Sequence, residues 1–245
     1  LGDDAVEFGL RLLEEGADIL DIGGESTRPG SVPIGVDEET SRIEPIFKML
    51  RAQTQAPLSI DTRKSVVAER ALELGADLVN DISSLSDDRM ATVVARYGAG
   101  LVLMHMRGEP RTMQNAPHYE DVVQEIQDFL SERIQIAESG GVSGQSIMVD
   151  PGIGFGKKLP HNLTLLNQLT RLSELERPIL VGTSRKSFLG QLTGEREENR
   201  LLGTSASIVA AVLKGAHIVR VHDVAAMKQV VAVTDAILNQ GNLEY

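Results

Sequence analysis

Seven short apolar runs recur along the chain, each ending in polar residues and each followed by a longer stretch with helical spacing. They are 17–23, 57–60, 77–79, 100–104, 147–149, 178–181 and 217–221. Runs that are apolar without alternation read as strands buried on both faces, as in a parallel sheet. The most informative is 147–149: it ends in Asp150, Pro151 stops the ladder, and glycines follow at 152, 154 and 156. Alternating glycines let a backbone turn sharply and come close to a ligand. The helical period predicts helices over 3–15, 37–52, 64–74, 87–97, 119–139, 161–172, 199–213 and 225–238. The phrase Gly-Ala-Asp or Gly-Ala-His stands at 16–18, 75–77 and 215–217, a helix stop followed by a strand start used three times.

Strands alternating with helices at this spacing imply parallel pairing and right-handed crossovers. A closed barrel of this kind needs eight strands in roughly 250 residues. The chain offers seven strands and one leading helix, with no linker or shift in composition. It is therefore expected to be a single α/β domain over 1–245, a (β/α)8 TIM barrel whose first strand and loop lie upstream of Leu1.

Composition narrows the chemistry. At 42% hydrophobic and 24% charged the chain is globular, and with 3% aromatics its core must be aliphatic. A net charge of −11 argues against nucleic acid or an anionic membrane as partner. An anionic substrate then requires a local cluster of cations. The absence of cysteine excludes disulfides and thiolate catalysis. No stretch approaches the roughly 20 apolar residues of a membrane span.

In a barrel the carboxyl ends of the strands share one face. Read in order, those ends carry Glu25, Thr27 and Arg28; Asp61; Asn80; Met104 and His105; Asp150; Ser184, Arg185 and Lys186; and Arg220 and His222. Two chemistries are present. Arg28, Arg185, Arg220 and His222 suit an anion, the lesser alternative being that Arg220 and His222 pair with Asp223 or Glu25. Asp61, Asn80 and Asp150 are mostly acceptors, suited to a planar ring rich in N–H donors, such as an amino-oxo pyrimidine. Any one strand-end Asp is as suited to capping the next helix as to binding a ligand. Lys186 could reach the ring's carbonyl or nitrogen, and Met104 and Phe155 could cover its face or simply be core. Gly-Ile-Gly-Phe-Gly-Lys is neither a dinucleotide fingerprint nor a Walker loop, and the histidines show no zinc spacing.

Seven segments carry a resemblance: DIGGESTRPG (21–30), SIDTRK (59–64), VNDIS (79–83), LMHMRGEPRTMQ (103–114), DPGIGFGK (150–157), GTSRKSFLG (182–190) and RVHDV (220–224). In this order they resemble the dihydropteroate synthase family across essentially the whole chain. The resemblance implies a transferase of folate biosynthesis that joins 6-hydroxymethyl-7,8-dihydropterin diphosphate to 4-aminobenzoate. It implies that Asp61, Asn80, Asp150 and Lys186 bind the pterin with Arg220 stacked on it, beside Met104 and Phe155. Arg220 and His222 would hold the diphosphate, and Lys186, Arg220, His222 and Asp61 would form the catalytic set. Thr27, Arg28 and Pro29 would close over 4-aminobenzoate, whose carboxylate meets Ser187 at a helix start. It further implies Mg²⁺ as cofactor, its Asn ligand lying upstream of Leu1 so that no metal ligand is expected here. A cytoplasmic homodimer competitively inhibited by sulfonamides completes the expectation. The alternatives are a non-catalytic pterin-binding subunit and a methyltetrahydrofolate:corrinoid methyltransferase, which has no need of STRPG, SRKS or RVHDV.

Overall fold

The structure is a computed structural model that describes residues 2–26, 30–109 and 111–239. All seven expected strands form: β1 (Leu20–Gly23), β2 (Leu58–Asp61), β3 (Leu78–Asp81), β4 (Gly100–Met104), β5 (Ile147–Asp150), β6 (Leu180–Val181) and β7 (Ile218–Val219). They pair in parallel and in sequence order, β1 to β5 in one sheet and β6 with β7 in another. A parallel bridge from Val149 to Ile179 and a 2.9 Å hydrogen bond from Val149 N to the Pro178 carbonyl join the two.

The register sets the level of the strand tips. Asp61 lies opposite both Gly23 and Asn80, and Met104 lies opposite Asp150. Arg220, one residue beyond β7, donates from Nε to Asp21 Oδ2 in β1 at 2.6 Å. The first and last of seven ordered strands can touch in this way only if the sheet curls on itself. This is the curl of a (β/α)8 barrel, the expected fold class. Among the described residues no strand lies between β7 and β1.

The helices are α1 (Gly2–Glu14), α2 (Val36–Arg51), α3 (Ser65–Glu73), α4 (Met90–Tyr97), α5 (Val122–Ser139), α6 (Leu159–Asn167), α7 (Ser187–Thr193), α8 (Leu201–Leu213) and α9 (Val224–Leu238). They cover the outer face of the strands, where Leu58, Ile60, Val79, Leu101, Leu103, Ile147 and Val149 are completely buried. The three Gly-Ala turns behave as expected, with Gly16, Gly75 and Gly215 at φ 102°, 97° and 97°, a region closed to most side chains.

Several boundaries differ from expectation by a few residues, and one helix is additional. The helix expected from 119 begins at Val122, because the Asp121 side chain accepts from Val123 N and Gln124 N at 3.0 Å and so caps it. The helix expected to reach 172 ends at Asn167, and a tighter 3-10 segment runs from Leu169 to Leu175. Helix α7 was not anticipated, since seven residues are too few to establish a period.

Candidate active site

Asp61, Asn80 and Asp150 are brought together at the buried ends of β2, β3 and β5, each less than a tenth exposed. Asp61 Oδ2 lies 3.4 Å from an Arg220 nitrogen, while its Oδ1 is buried with no hydrogen-bond partner among the described residues. Burial, reinforced by the negative charge of Asp21, pushes the Asp61 carboxyl up to about 7, against the pull of Arg220. Asp150 is also raised by burial, with Lys186 opposing. Its Oδ1 accepts from Gly152 N at 2.7 Å. Asn80 donates from Nδ2 to Asp21 Oδ2 at 3.0 Å, the same oxygen that receives Arg220.

The glycine loop after β5 is fixed carbonyl by carbonyl. Lys186 Nζ donates to the Ile153 carbonyl, Gln114 to that of Gly154 at 2.6 Å, Lys157 to that of Phe155 at 3.0 Å, and Tyr119 to that of Gly156 at 2.8 Å. Gly152 must be glycine: its φ is +66°, and a methyl group there would run into the carbonyl oxygen of His105. The loop thereby places Phe155, whose ring centroid lies 4.7 Å from Lys186 Nζ. Burial brings the Lys186 amine down to about 8, with Asp150 opposing and Arg220 adding to the drop. Met104, at the end of β4, is buried beside this loop at 3% exposure.

The cations arrange themselves only partly as expected. Arg220 joins Asp61 and Asp21, rather than Asp223 or Glu25. The Arg185 guanidinium pairs with Asp223 at the start of α9. His222 Nδ1 lies 3.0 Å from the Ser184 hydroxyl, which its backbone N–H also reaches at 3.2 Å. Lys186 stands immediately before α7, with no capping bond from its side chain, and Ser187 is the first residue of that helix. Glu25 belongs to a partly buried network with Arg63 and Lys64, and Lys64 also meets the buried Glu39. Thr27, Arg28 and Pro29 lie outside the described residues.

Two residues that pure sequence reasoning passed over are structurally central. Asp21 lies within the β1 run rather than after it, and Lys157 reads as a surface charge yet is 3% exposed. The signal for Asp21 was a carboxylate inside an otherwise apolar strand.

This arrangement offers buried acceptors, the half-buried Lys186 amine and an arginine at a common face, the donor set for a nitrogen-rich ring bearing an anionic arm. Residues 2–222 match the family described as pterin binding enzyme. The dihydropteroate synthase of Synechocystis is 44% identical over 95% of this chain and 81% of its own length. The chain belongs to the dihydropteroate synthase family. Solved dihydropteroate synthases superimpose closely: that of Yersinia pestis with a sulfonamide drug has a TM-score of 0.94 at 39% identity, covering 97% of this chain and 86% of that one. That of Xanthomonas albilineans with 4-aminobenzoic acid has a TM-score of 0.92 at 46% identity, covering 97% and 85%.

The family resemblance also implied Mg²⁺. Among the described residues no group of three or more histidine or acidic side chains gathers as a metal site. Asp61 Oδ1 and Asp21 Oδ1 are unpartnered, but with no third such side chain gathered beside them the described residues do not by themselves fit that ion. No helix among them is long and apolar enough to cross a membrane.

Proposed function

We propose that the strand-tip cluster binds the pterin ring of 6-hydroxymethyl-7,8-dihydropterin diphosphate and that this chain, as one domain over 1–245, joins its methylene to the amine of 4-aminobenzoate. The products are 7,8-dihydropteroate and diphosphate, which makes the chain a transferase of folate biosynthesis. The observation that supports this reading is the orphaned Asp61 Oδ1, a buried acceptor at the end of β2 beside Asn80 and Asp150. A buried acceptor without a donor costs about 1–3 kcal/mol, which a ligand N–H would recover.

Asp61, Asn80 and Asp150 accept from the ring's amino and N–H groups, and Lys186 donates to its carbonyl or ring nitrogen. Met104 and Phe155 flank the ring, and Arg220 covers its open face. Arg220 and His222 meet the diphosphate, where a guanidinium offers a bidentate match to phosphate oxygens. The C–O bond between the pterin methylene and the diphosphate breaks first, and the electron pair leaves with the diphosphate. The carboxylates around the ring stabilise the positive charge that develops on the pterin. The 4-aminobenzoate nitrogen then forms the new C–N bond and loses a proton, so a weak nucleophile needs no strong base. Thr27, Arg28, Pro29 and Ser187 serve 4-aminobenzoate in this reading.

Mg²⁺, a homodimer and a cytoplasmic location are proposed on the family resemblance alone. Mg²⁺ would supply charge to the leaving diphosphate, and no step above passes through it. The direct test is Asp61→Asn. It removes the acceptor charge without changing volume and should lower kcat/KM for the pterin diphosphate by at least about a hundredfold, the scale of a lost buried charge-assisted contact. Turnover near that of the unmodified protein would refute the assignment.

A further inference from the structure

We infer that Asp21 is a positioning residue for pterin recognition: through one carboxylate oxygen it sets the orientation of the Asn80 amide and anchors Arg220 over the strand tips. The inference rests on the pterin reading of the site and adds a residue to which that reading gave no role.

Asp21 Oδ2 receives Asn80 Nδ2 at 3.0 Å and Arg220 Nε at 2.6 Å, linking β3 and the end of β7 through β1. An ionised carboxylate can only accept. It therefore fixes which end of the otherwise ambiguous Asn80 amide faces it, the NH₂, and leaves the carbonyl oxygen as the end offered elsewhere. Asn80 then joins Asp61 and Asp150 as a third acceptor rather than a donor, which is the polarity a donor-rich ring requires. Arg220 is the counterpart. Its side chain remains 45% exposed, yet Asp21 and Asp61 hold it at the inner ends of the strands. Without Asp21 the long arginine keeps, among the described residues, only the 3.4 Å contact to Asp61 Oδ2 to hold it over the strand tips.

Asp21→Asn and Asp21→Ala separate this role from simple support of the fold. Asparagine keeps the volume but can present its own NH₂ to Asn80, allowing the Asn80 amide to turn over. Alanine removes both contacts. Isothermal titration with the pterin diphosphate should show about ten- to a hundredfold weaker binding in both variants, the size of one charge-assisted hydrogen bond. KM for 4-aminobenzoate should stay within about twofold, as expected of sites that share no partner.

A second readout is the pH profile of pterin binding, whose acid limb Asp61 sets. The groups facing Asp61 are Asp21 in β1, Arg220 beyond β7, Glu39 in α2 and Asp81 in β3. Burial is the main reason its carboxyl is raised and the Asp21 charge is the next, so Asp21→Asn should move that limb to lower pH. Asp18→Asn, a change in the solvent-facing partner of Lys228, should alter neither readout. If Asp21→Ala does not fold, the isosteric Asp21→Asn carries both measurements. Pterin affinity within twofold of the unmodified protein in Asp21→Asn, or a loss shared equally by 4-aminobenzoate, would overturn the inference. Unmodified protein that binds no pterin would overturn the underlying reading as well.

Discussion

Lys157 Nζ lies 2.9 Å from His105 Nδ1 and donates to the carbonyls of His105 and Phe155 at 3.2 and 3.0 Å. This buried amine ties the end of β4 to the glycine loop after β5, and so ties two halves of the site together.

Replacing Lys157 by methionine leaves the buried carbonyls of His105 and Phe155 without their donor, at a cost of about 2–3 kcal/mol in stability. Burial holds the Lys157 amine well below its usual range, so the folded chain binds fewer protons here than the unfolded chain. Its contribution to stability therefore grows as pH rises towards the ordinary lysine value. Urea denaturation should show the gap between the unmodified protein and Lys157→Met widening from pH 7 to pH 9. A gap that narrows would contradict the buried amine.

The pH dependence of kcat/KM for the pterin diphosphate should be a narrow bell. Asp61, raised to about 7, must be ionised to accept, and Lys186, lowered to about 8, must be protonated to donate. The rate rises through the first value and falls through the second. Asp61→Asn should abolish the lower limb and Lys186→Arg the upper one. Steady-state kinetics between pH 5.5 and 9.5 decide this.

The Asp61→Asn change should also separate activity from stability. A carboxyl raised from 3.8 to about 7 favours the folded state fully only below the unfolded value, and loses that contribution as pH climbs through 7. At pH 8 the ionised group is a burden to the empty site, so Asp61→Asn should stabilise the ligand-free protein by up to about 4 kcal/mol there. At pH 4 the difference should shrink towards zero. Thermal unfolding at the two pH values is the check.

Gly152→Ala should be among the most damaging small substitutions, costing about 3 kcal/mol or more. It adds a methyl group against the backbone of His105 in a left-handed conformation. Gly35→Ala, where the added carbon meets nothing within 4 Å and φ is −70°, should be nearly neutral. Tm measurements on the pair test whether it is the position or the residue type that matters.

Much of this was legible in the chain. Uninterrupted apolar runs such as 147–149 marked strands because a parallel sheet buries both faces, and Asp61, Asn80 and Asp150 stood out because barrel tips converge. What escaped had a physical reason. Helix α7 is held by packing against α6 and α8 rather than by a repeating apolar stripe. Sequence cannot choose between partners for a charge, and the pairing of Arg185 with Asp223 is seen only in the structure. Lys157 and Asp21 act from the barrel wall, and only the packed structure shows that Lys157 is enclosed and Asp21 partly so.

The most direct test of the central claim is to incubate the protein with 6-hydroxymethyl-7,8-dihydropterin diphosphate, 4-aminobenzoate and Mg²⁺ and to measure 7,8-dihydropteroate by chromatography. Equimolar dihydropteroate and diphosphate, lost in Asp61→Asn and dependent on both substrates, is the result predicted. Tight pterin binding without product, or product formed equally well by Asp61→Asn, would contradict it.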